Sequence, residues 1–237
     1  AASFAKAPVF RRYLAEGATG LFETRISIAN PGANPANVTL TFLRGDASVR
    51  THSLTVPARQ SRKVTVSVLP DMDNQEFSTL VESDQTVVVD RQMWWSKANA
   101  YGTHAEAAVV APATTWYFAE GATHGGFDLF YLLQNAGDTD STVRVRYLRP
   151  TGAPVEKTYT VRAGSRATIW VDFEQFPDGS GNRALADTDV SAVIDVLSGP
   201  AIIAERAMYL TPAGSTVLYE AGHESAGVLA PATTWFL

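Results

Sequence analysis

The chain has 237 residues, 46% hydrophobic and 18% charged, with a formal net charge of −5. That is enough apolar material for packed cores and too little charge for a disordered chain, and the thin spread of charge excludes a basic stripe for nucleic acid. Cysteine is absent, which excludes disulfides, thiolate metal sites and cysteine nucleophiles, and no apolar run approaches the roughly 18 residues of a membrane helix, so no membrane insertion is expected.

The first residues, Ala1-Ala2-Ser3-Phe4-Ala5-Lys6, are read as a mature end left by signal cleavage, the alternative being an arbitrary boundary of the chain. An opening strand is expected at Ala7 to Phe10. The motif Tyr13-Leu14-Ala15-Glu16-Gly17-Ala18-Thr19 follows, then an apolar segment from Phe22 to Asn30 closed by the turn Asn30-Pro31-Gly32. In Val38 to Phe42 the apolar residues Val38, Leu40 and Phe42 alternate with Thr39 and Thr41, the period of a strand with one buried face. A hairpin turn is expected at Arg44-Gly45-Asp46, and at most a helical turn within Met72 to Leu80. A further strand is expected around Asp90-Arg91-Gln92-Met93-Trp94, and from Val109 to Trp116 one extended segment that finishes the first sandwich and starts the second.

From Ala111 the same landmarks return in the same order. Tyr13 to Thr19 recurs as Tyr117 to Thr123, Phe22 to Asn30 as Phe127 to Asn135, and Val38 to Arg44 as Val143 to Arg149. Ser61-Arg62 is matched with Ser165-Arg166, and Asp90 to Trp94 with Glu205 to Tyr209. Ala111-Pro112-Ala113-Thr114-Thr115-Trp116 returns at Ala230-Pro231-Ala232-Thr233-Thr234-Trp235. The offset grows from 104 (Tyr13 to Tyr117) to 119 (Ala111 to Ala230), so the second copy carries insertions. The largest is read as a surface loop at Phe176 to Arg183, with a second helical turn at most within Leu185 to Ser191.

The expected fold is therefore all-β: two tandem immunoglobulin-like β-sandwich domains of roughly seven strands each. The first spans residues 1–114 and the second 115–237, with a terminal strand at 230–237. The joint Val109 to Trp116 is apolar and β-branched, unlike a flexible linker, so the two domains are expected to be held in a fixed relation.

The stretch Thr115-Trp116-Tyr117-Phe118-Ala119-Glu120-Gly121-Ala122-Thr123 resembles the signature of a bacterial repeat domain of unassigned function. Further likeness lies in Tyr147-Leu148-Arg149-Pro150, Thr168-Ile169-Trp170-Val171-Asp172 and Glu205-Arg206-Ala207-Met208-Tyr209. Copy two fits better; copy one departs at Val9-Phe10-Arg11-Arg12 and reads Asp90 where copy two reads Glu205. The resemblance implies tandem arrays on secreted or cell-surface proteins, and it brings no catalytic residues to carry over.

Constellations for chemistry are missing. His52, His104, His124 and His223 form no HExxH-like pair; His104 and His223 are equivalent and are read as edge histidines with local hydrogen bonds. No Gly-x-Ser-x-Gly elbow and no phosphate-binding glycine loop occurs. Asp71-Met72-Asp73-Asn74 lacks the glycine and closing glutamate of a calcium loop. No catalytic residue, metal or cofactor is expected, and the chain is not read as an enzyme. Of the tryptophans, Trp94 and Trp95 should face opposite sides of one strand, while Trp116 and Trp235 recur at equivalent places.

A buried or half-buried ion pair is expected in each domain, Glu16 with Arg91 and Glu120 with Arg206, because both members recur beside apolar strands where a charge needs a partner. The expected function is a non-enzymatic extracellular structural protein, a protomer of a surface filament, array or stalk. It would associate head-to-tail, its strand Trp235, Phe236 and Leu237 docking at the first domain of the next molecule. The alternative is a carbohydrate- or protein-binding adhesion module, with a surface polysaccharide as partner.

Overall fold

The structure is a computed structural model that describes residues 9–97, 100–176 and 184–235. The first repeat contributes β1 (Phe10–Leu14), β2 (Glu23–Asn30), β3 (Ala36–Arg44), β4 (Val49–Val56), β5 (Gln60–Thr65), β6 (Phe77–Ser83), β7 (Val88–Lys97) and β8 (Ala100–Ala107). The second contributes β9 (Thr115–Phe118), β10 (Phe127–Asn135), β11 (Ser141–Leu148), β12 (Val155–Val161), β13 (Ser165–Trp170), β14 (Ser191–Ser198), β15 (Ile203–Leu210) and β16 (Ala221–Ala226). Each repeat is a sandwich of two four-stranded antiparallel sheets.

Strand order, which the sequence left open, is identical in the two copies. Domain one has sheets β1-β6-β3-β4 and β5-β2-β7-β8; domain two has β9-β14-β11-β12 and β13-β10-β15-β16. The architecture is immunoglobulin-like in its two facing sheets, with eight strands in place of about seven. In each copy the second strand lies between the fifth and seventh, and the sixth lies between the first and third.

The alternation read in the sequence decides what is buried. Val38, Leu40 and Phe42 join Leu14, Ile26, Ile28, Phe77 and Val81 in the core of domain one. Val143, Val145 and Tyr147 join Trp116, Leu129, Tyr131 and Ile194 in domain two. Each such fully buried side chain contributes roughly 1.5–3 kcal/mol. Met72 to Leu80 and Leu185 to Ser191, each read as holding a helical turn at most, form no helix; they contain short turns at 73–74 and 184–187 and lead into β6 and β14. Phe77, Thr79, Val81 and Ser83 are all buried at a spacing of two, which makes β6 a strand. The two short 3-10 turns sit instead at Val66–Val68 and Val171–Phe173, just after β5 and β13.

Register also corrects one repeat match. Asn30 pairs with Gln60 and Asn135 with Ser165, so Gln60, not Ser61, is the counterpart of Ser165. Arg166 therefore corresponds to Ser61.

The recurrent Ala-Glu-Gly-Ala-Thr motif is the bend that follows the first strand. Ala18 bridges Glu76 and Ala122 bridges Asp189. The Thr19 hydroxyl donates to the Met72 carbonyl at 2.5 Å, and that of Thr123 donates to the Leu185 carbonyl at 2.5 Å. A Cβ on Gly121 would lie 2.6 Å from the Val190 carbonyl oxygen, so the bend needs glycine there.

The chain passes between domains without a spacer. Val109 still pairs with Tyr13, and Ala113 already pairs with Ile202. The crossing thus falls a few residues before the expected boundary at 114/115. The terminal strand expected at 230–237 is not seen in its described part. Residues 230–235 are exposed and belong to no strand, because the first-strand position of each sandwich is already held by β1 or β9. Phe236 and Leu237 lie outside the described residues, as do Ala7 and most of the Phe176 to Arg183 loop.

Candidate functional site: a buried charge cluster at the domain joint

Strand β7 runs past the end of β2: Trp94 pairs with Glu23, and Trp95 to Lys97 pair with β8 alone. Val89, Arg91, Met93 and Trp95 all point to one side, Val89 into the core of domain one and Trp95 into an apolar cluster shared with domain two. The surface they meet is the outer face of sheet β13-β10-β15-β16. Phe22 packs on Trp95, Tyr209 and Tyr219 with ring centroids 5.2–6.1 Å apart, and the Trp95 indole donates to the Tyr219 carbonyl.

Inside this apolar ring lies a charge cluster built by both domains. The Arg91 guanidinium, 1% exposed, is 3.4 Å from Glu16, 2.8 Å from Glu205 and 2.5 Å from Glu224. Arg91 Nη1 also donates to the Glu16 carbonyl at 2.9 Å, and the Glu16 amide donates to Glu205 at 2.9 Å. The Tyr209 hydroxyl donates to Glu16 Oε1 at 2.7 Å, and its oxygen lies 3.1 Å from His104 Nε2. Beside the cluster, Arg166 of domain two donates to Glu76 of domain one at 2.9 Å.

Three carboxylates face one guanidinium, and burial sets the balance. Burial pushes Glu16 above the usual carboxylate range although Arg91 opposes it, and it pushes Glu224 well above that range against the same opposition. For Arg91, burial would lower the value, but Glu224, Glu205 and Glu16 together raise it. His104 is pushed down to about 3, first by burial and then by Arg91; it is neutral. Its partner is not local, as the sequence had suggested, but Tyr209, 105 residues away.

Glu16, His104 and Glu224 offer ligand atoms within 4.8 Å of one another, the spacing of a metal site. The guanidinium contacts both of these carboxylates, so Arg91 fills the position of a cation.

The structure brings together both expected pairs. Arg91 Nη2 is 3.4 Å from Glu16 Oε2, and Arg206 Nη1 is 3.4 Å from Glu120 Oε2. The first pair is buried as expected, with the Glu16 side chain 7% exposed; the second is not, since the Glu120 side chain is 74% exposed with no second domain over it among the described residues. Glu205, Glu224, His104 and Tyr209 were not singled out as a set. One signal pointed to them: copy one has Asp90, Trp94 and Ala105 where copy two has Glu205, Tyr209 and Glu224. Trp235 is 52% exposed, whereas its counterpart Trp116 is 1% exposed. Trp95 is buried, and Trp94, on the opposite face, carries Arg25 at 4.7 Å. Asp71 pairs with Arg50 at 3.0 Å. Among the described residues no helix is long and apolar enough to cross a membrane.

A cleft of 690 Å³ opens beside the cluster, between Phe22, Asn74, Gln75, Arg166, Trp170 and Tyr219. Trp170 is 40% exposed and meets Phe173 edge-on at 4.5 Å.

The sequence model of a family of unknown function, DUF5719, matches residues 10–229. No curated protein matches the chain. Among solved structures, it is similar to Thermotoga maritima 1070, with 18% identity over 43% of this chain and 94% of that one, at a TM-score of 0.41. It is also similar to the Anabaena sensory rhodopsin transducer, with 26% identity over 34% of this chain and 90% of that one, at a TM-score of 0.30.

Proposed function

From the premise that the chain belongs to the DUF5719 family of unknown function, we propose that it is a non-enzymatic structural protein of the cell exterior, a rigid tandem unit of a surface array, stalk or filament. The observation that carries this reading is the joint itself. Arg91 of one domain is enclosed by Glu205 and Glu224 of the other, and a buried pair of this kind fixes geometry more than it adds stability. A protein that transmits position or load along a repeat array needs such a joint. Glu16, His104 and Glu224, which have the spacing of a metal site, are consumed in holding it.

Head-to-tail association by strand docking takes a modified form. In domain one the first-strand position is filled by β1. Residues Thr233-Thr234-Trp235 match Thr114-Thr115-Trp116, which lead into β9. The segment therefore suits a first strand in a further sandwich better than an addition to domain one.

Because the chain has no cysteine, paired spin labels can be placed at introduced cysteines, one at exposed Lys63 and one at exposed Thr158. A single narrow interdomain distance is expected, together with ordered assemblies under the electron microscope. A broad distance distribution would sink the rigid-unit reading.

A second reading, a polysaccharide-binding adhesion module, is favoured by the cleft at the joint. Phe22, Trp170 and Tyr219 offer ring faces for sugar stacking beside Asn74, Gln75 and Arg166. Glycan-array binding lost on Trp170→Ala would support it; no binding by the intact chain would remove it.

A further inference from the structure

The end of domain one that domain two covers has an uncovered counterpart. That end is lined by Glu16, Phe22, Arg91, Met93, Trp95 and His104. Strand register and repeat spacing map these onto Glu120, Phe127, Arg206, Met208, Leu210 and His223. The inner chemistry is the same in both. Arg206 Nη1 donates to the Glu120 carbonyl at 2.6 Å, as Arg91 Nη1 does to the Glu16 carbonyl at 2.9 Å. Arg206 also approaches His223 Nδ1 at 3.1 Å. Yet a hollow of 310 Å³ lies open between Glu120, Phe127, Met208 and His223.

We propose that this end of domain two is a docking surface for a further copy of the second sandwich repeat. The docking face would be the one that carries Glu205, Tyr209 and Glu224, closing over the exposed Glu120 and His223 and the hollow between them, beneath which Arg206 already lies 5% exposed. The proposal rests on reading the internal joint as structural. Charge complementarity selects the occupant: among the described residues Arg206 has one carboxylate partner, Glu120, where Arg91 has three. The exit path points the same way. Val228 pairs with Tyr117 as Val109 pairs with Tyr13, and Trp235 stands exposed where its counterpart Trp116 anchors the next sandwich, donating to the Ile202 carbonyl at 3.0 Å. The first repeat does not supply the docking face, because it carries Asp90, Trp94 and Ala105 at the three positions. The second repeat's own face is already covered by domain one.

The test is an extended chain, residues 1–235 followed directly by residues 117–237, so that a further second repeat follows at the spacing of the internal joint. Spin labels at Thr158 in the second and third repeats read the new joint. Labels at Lys63 and Thr158 of the second repeat read the internal one. Narrow distances are expected at both joints. Glu205→Ala with Glu224→Ala, made only in the third repeat, should broaden the new joint and leave the internal joint narrow. These two side chains lie on the outer face of the third repeat, so its folding does not depend on them. A broad new joint beside a narrow internal one overturns the proposal and leaves the rigid-unit reading standing; a new joint that stays narrow in the variant overturns it by placing docking elsewhere. If both joints are broad, the proposal and the reading beneath it fall together.

Discussion

Arg91 in the first domain and Glu205 in the second lie 114 residues apart in the chain, yet they meet at 2.8 Å with side chains 1% and 0% exposed. Breaking such a pair leaves an uncompensated buried charge, which costs about 3–5 kcal/mol. Arg91→Met is expected to lose that amount in urea unfolding. Arg206→Met, at the open counterpart, should lose only about 1–2 kcal/mol, chiefly from orphaning the Glu120 carbonyl. Equal losses would mean that the cluster is not what holds the domains together.

The apolar ring gives a second expectation. A Cβ on Gly102 would fall 2.1 Å from the Trp95 ring, which is itself buried and held by Tyr219. Gly102→Val should displace Trp95 and lower stability by about 1–3 kcal/mol, with broadening of the Lys63 to Thr158 distance. A variant that melts earlier but keeps a narrow distance would place the damage inside domain one.

Stability should depend on pH with two opposed limbs. The ionisable groups that face one another in the cluster are Glu16, Arg91 and His104 from domain one, and Glu205, Tyr209 and Glu224 from domain two, with the Arg166–Glu76 pair alongside. Glu16 and Glu224 are raised in the fold. Their contribution is present below the ordinary carboxylate value and is lost as pH rises through the folded value. His104 is lowered from 6.5 to about 3, so its contribution is present above 6.5 and is lost as pH falls towards 3. His104→Gln should flatten the acid limb and Glu224→Gln the other, in denaturant midpoints measured across pH. An acid limb that keeps its slope in His104→Gln would refute the assignment.

The two motif glycines should differ in their tolerance. An added Cβ at Gly17 meets the Phe77 ring at 2.5 Å, whereas at Gly121 it meets the Val190 carbonyl oxygen at 2.6 Å. A ring can shift more readily than a backbone paired in a bridge, so Gly121→Ala should cost more, by about 1 kcal/mol or above. Thermal unfolding of the two variants compares them directly, and the reverse order would count against this account.

The sequence by itself determined the repeat, the two sandwiches and their buried faces. Alternation at Val38, Leu40 and Phe42, or at Val143, Val145 and Tyr147, leaves a strand one way to bury its apolar side. The juxtaposition of Glu16 with Arg91 was also legible, because both charges recur beside apolar strands. What only the tertiary structure decided is where Glu205, Tyr209 and Glu224 go. Along β15 the face that bears Glu205, Ala207 and Tyr209 has the composition of a half-polar surface, and a period of two tells which side of a sheet a residue takes but not what lies opposite. That choice depends on the face of β7 that carries Arg91, in mid-sheet opposite Ile26, and Trp95, beyond the end of β2, meeting a second domain that encloses them. The same geometry leaves Arg206 and Glu120 at an open end, although their sequence surroundings are nearly those of Arg91 and Glu16. Arg206 is buried even so, at 5% exposure, and it is the carboxylate that differs, 7% exposed in Glu16 and 74% in Glu120; burial of that carboxylate is a property of the neighbouring domain as much as of the residue, and no local pattern in the chain encodes it.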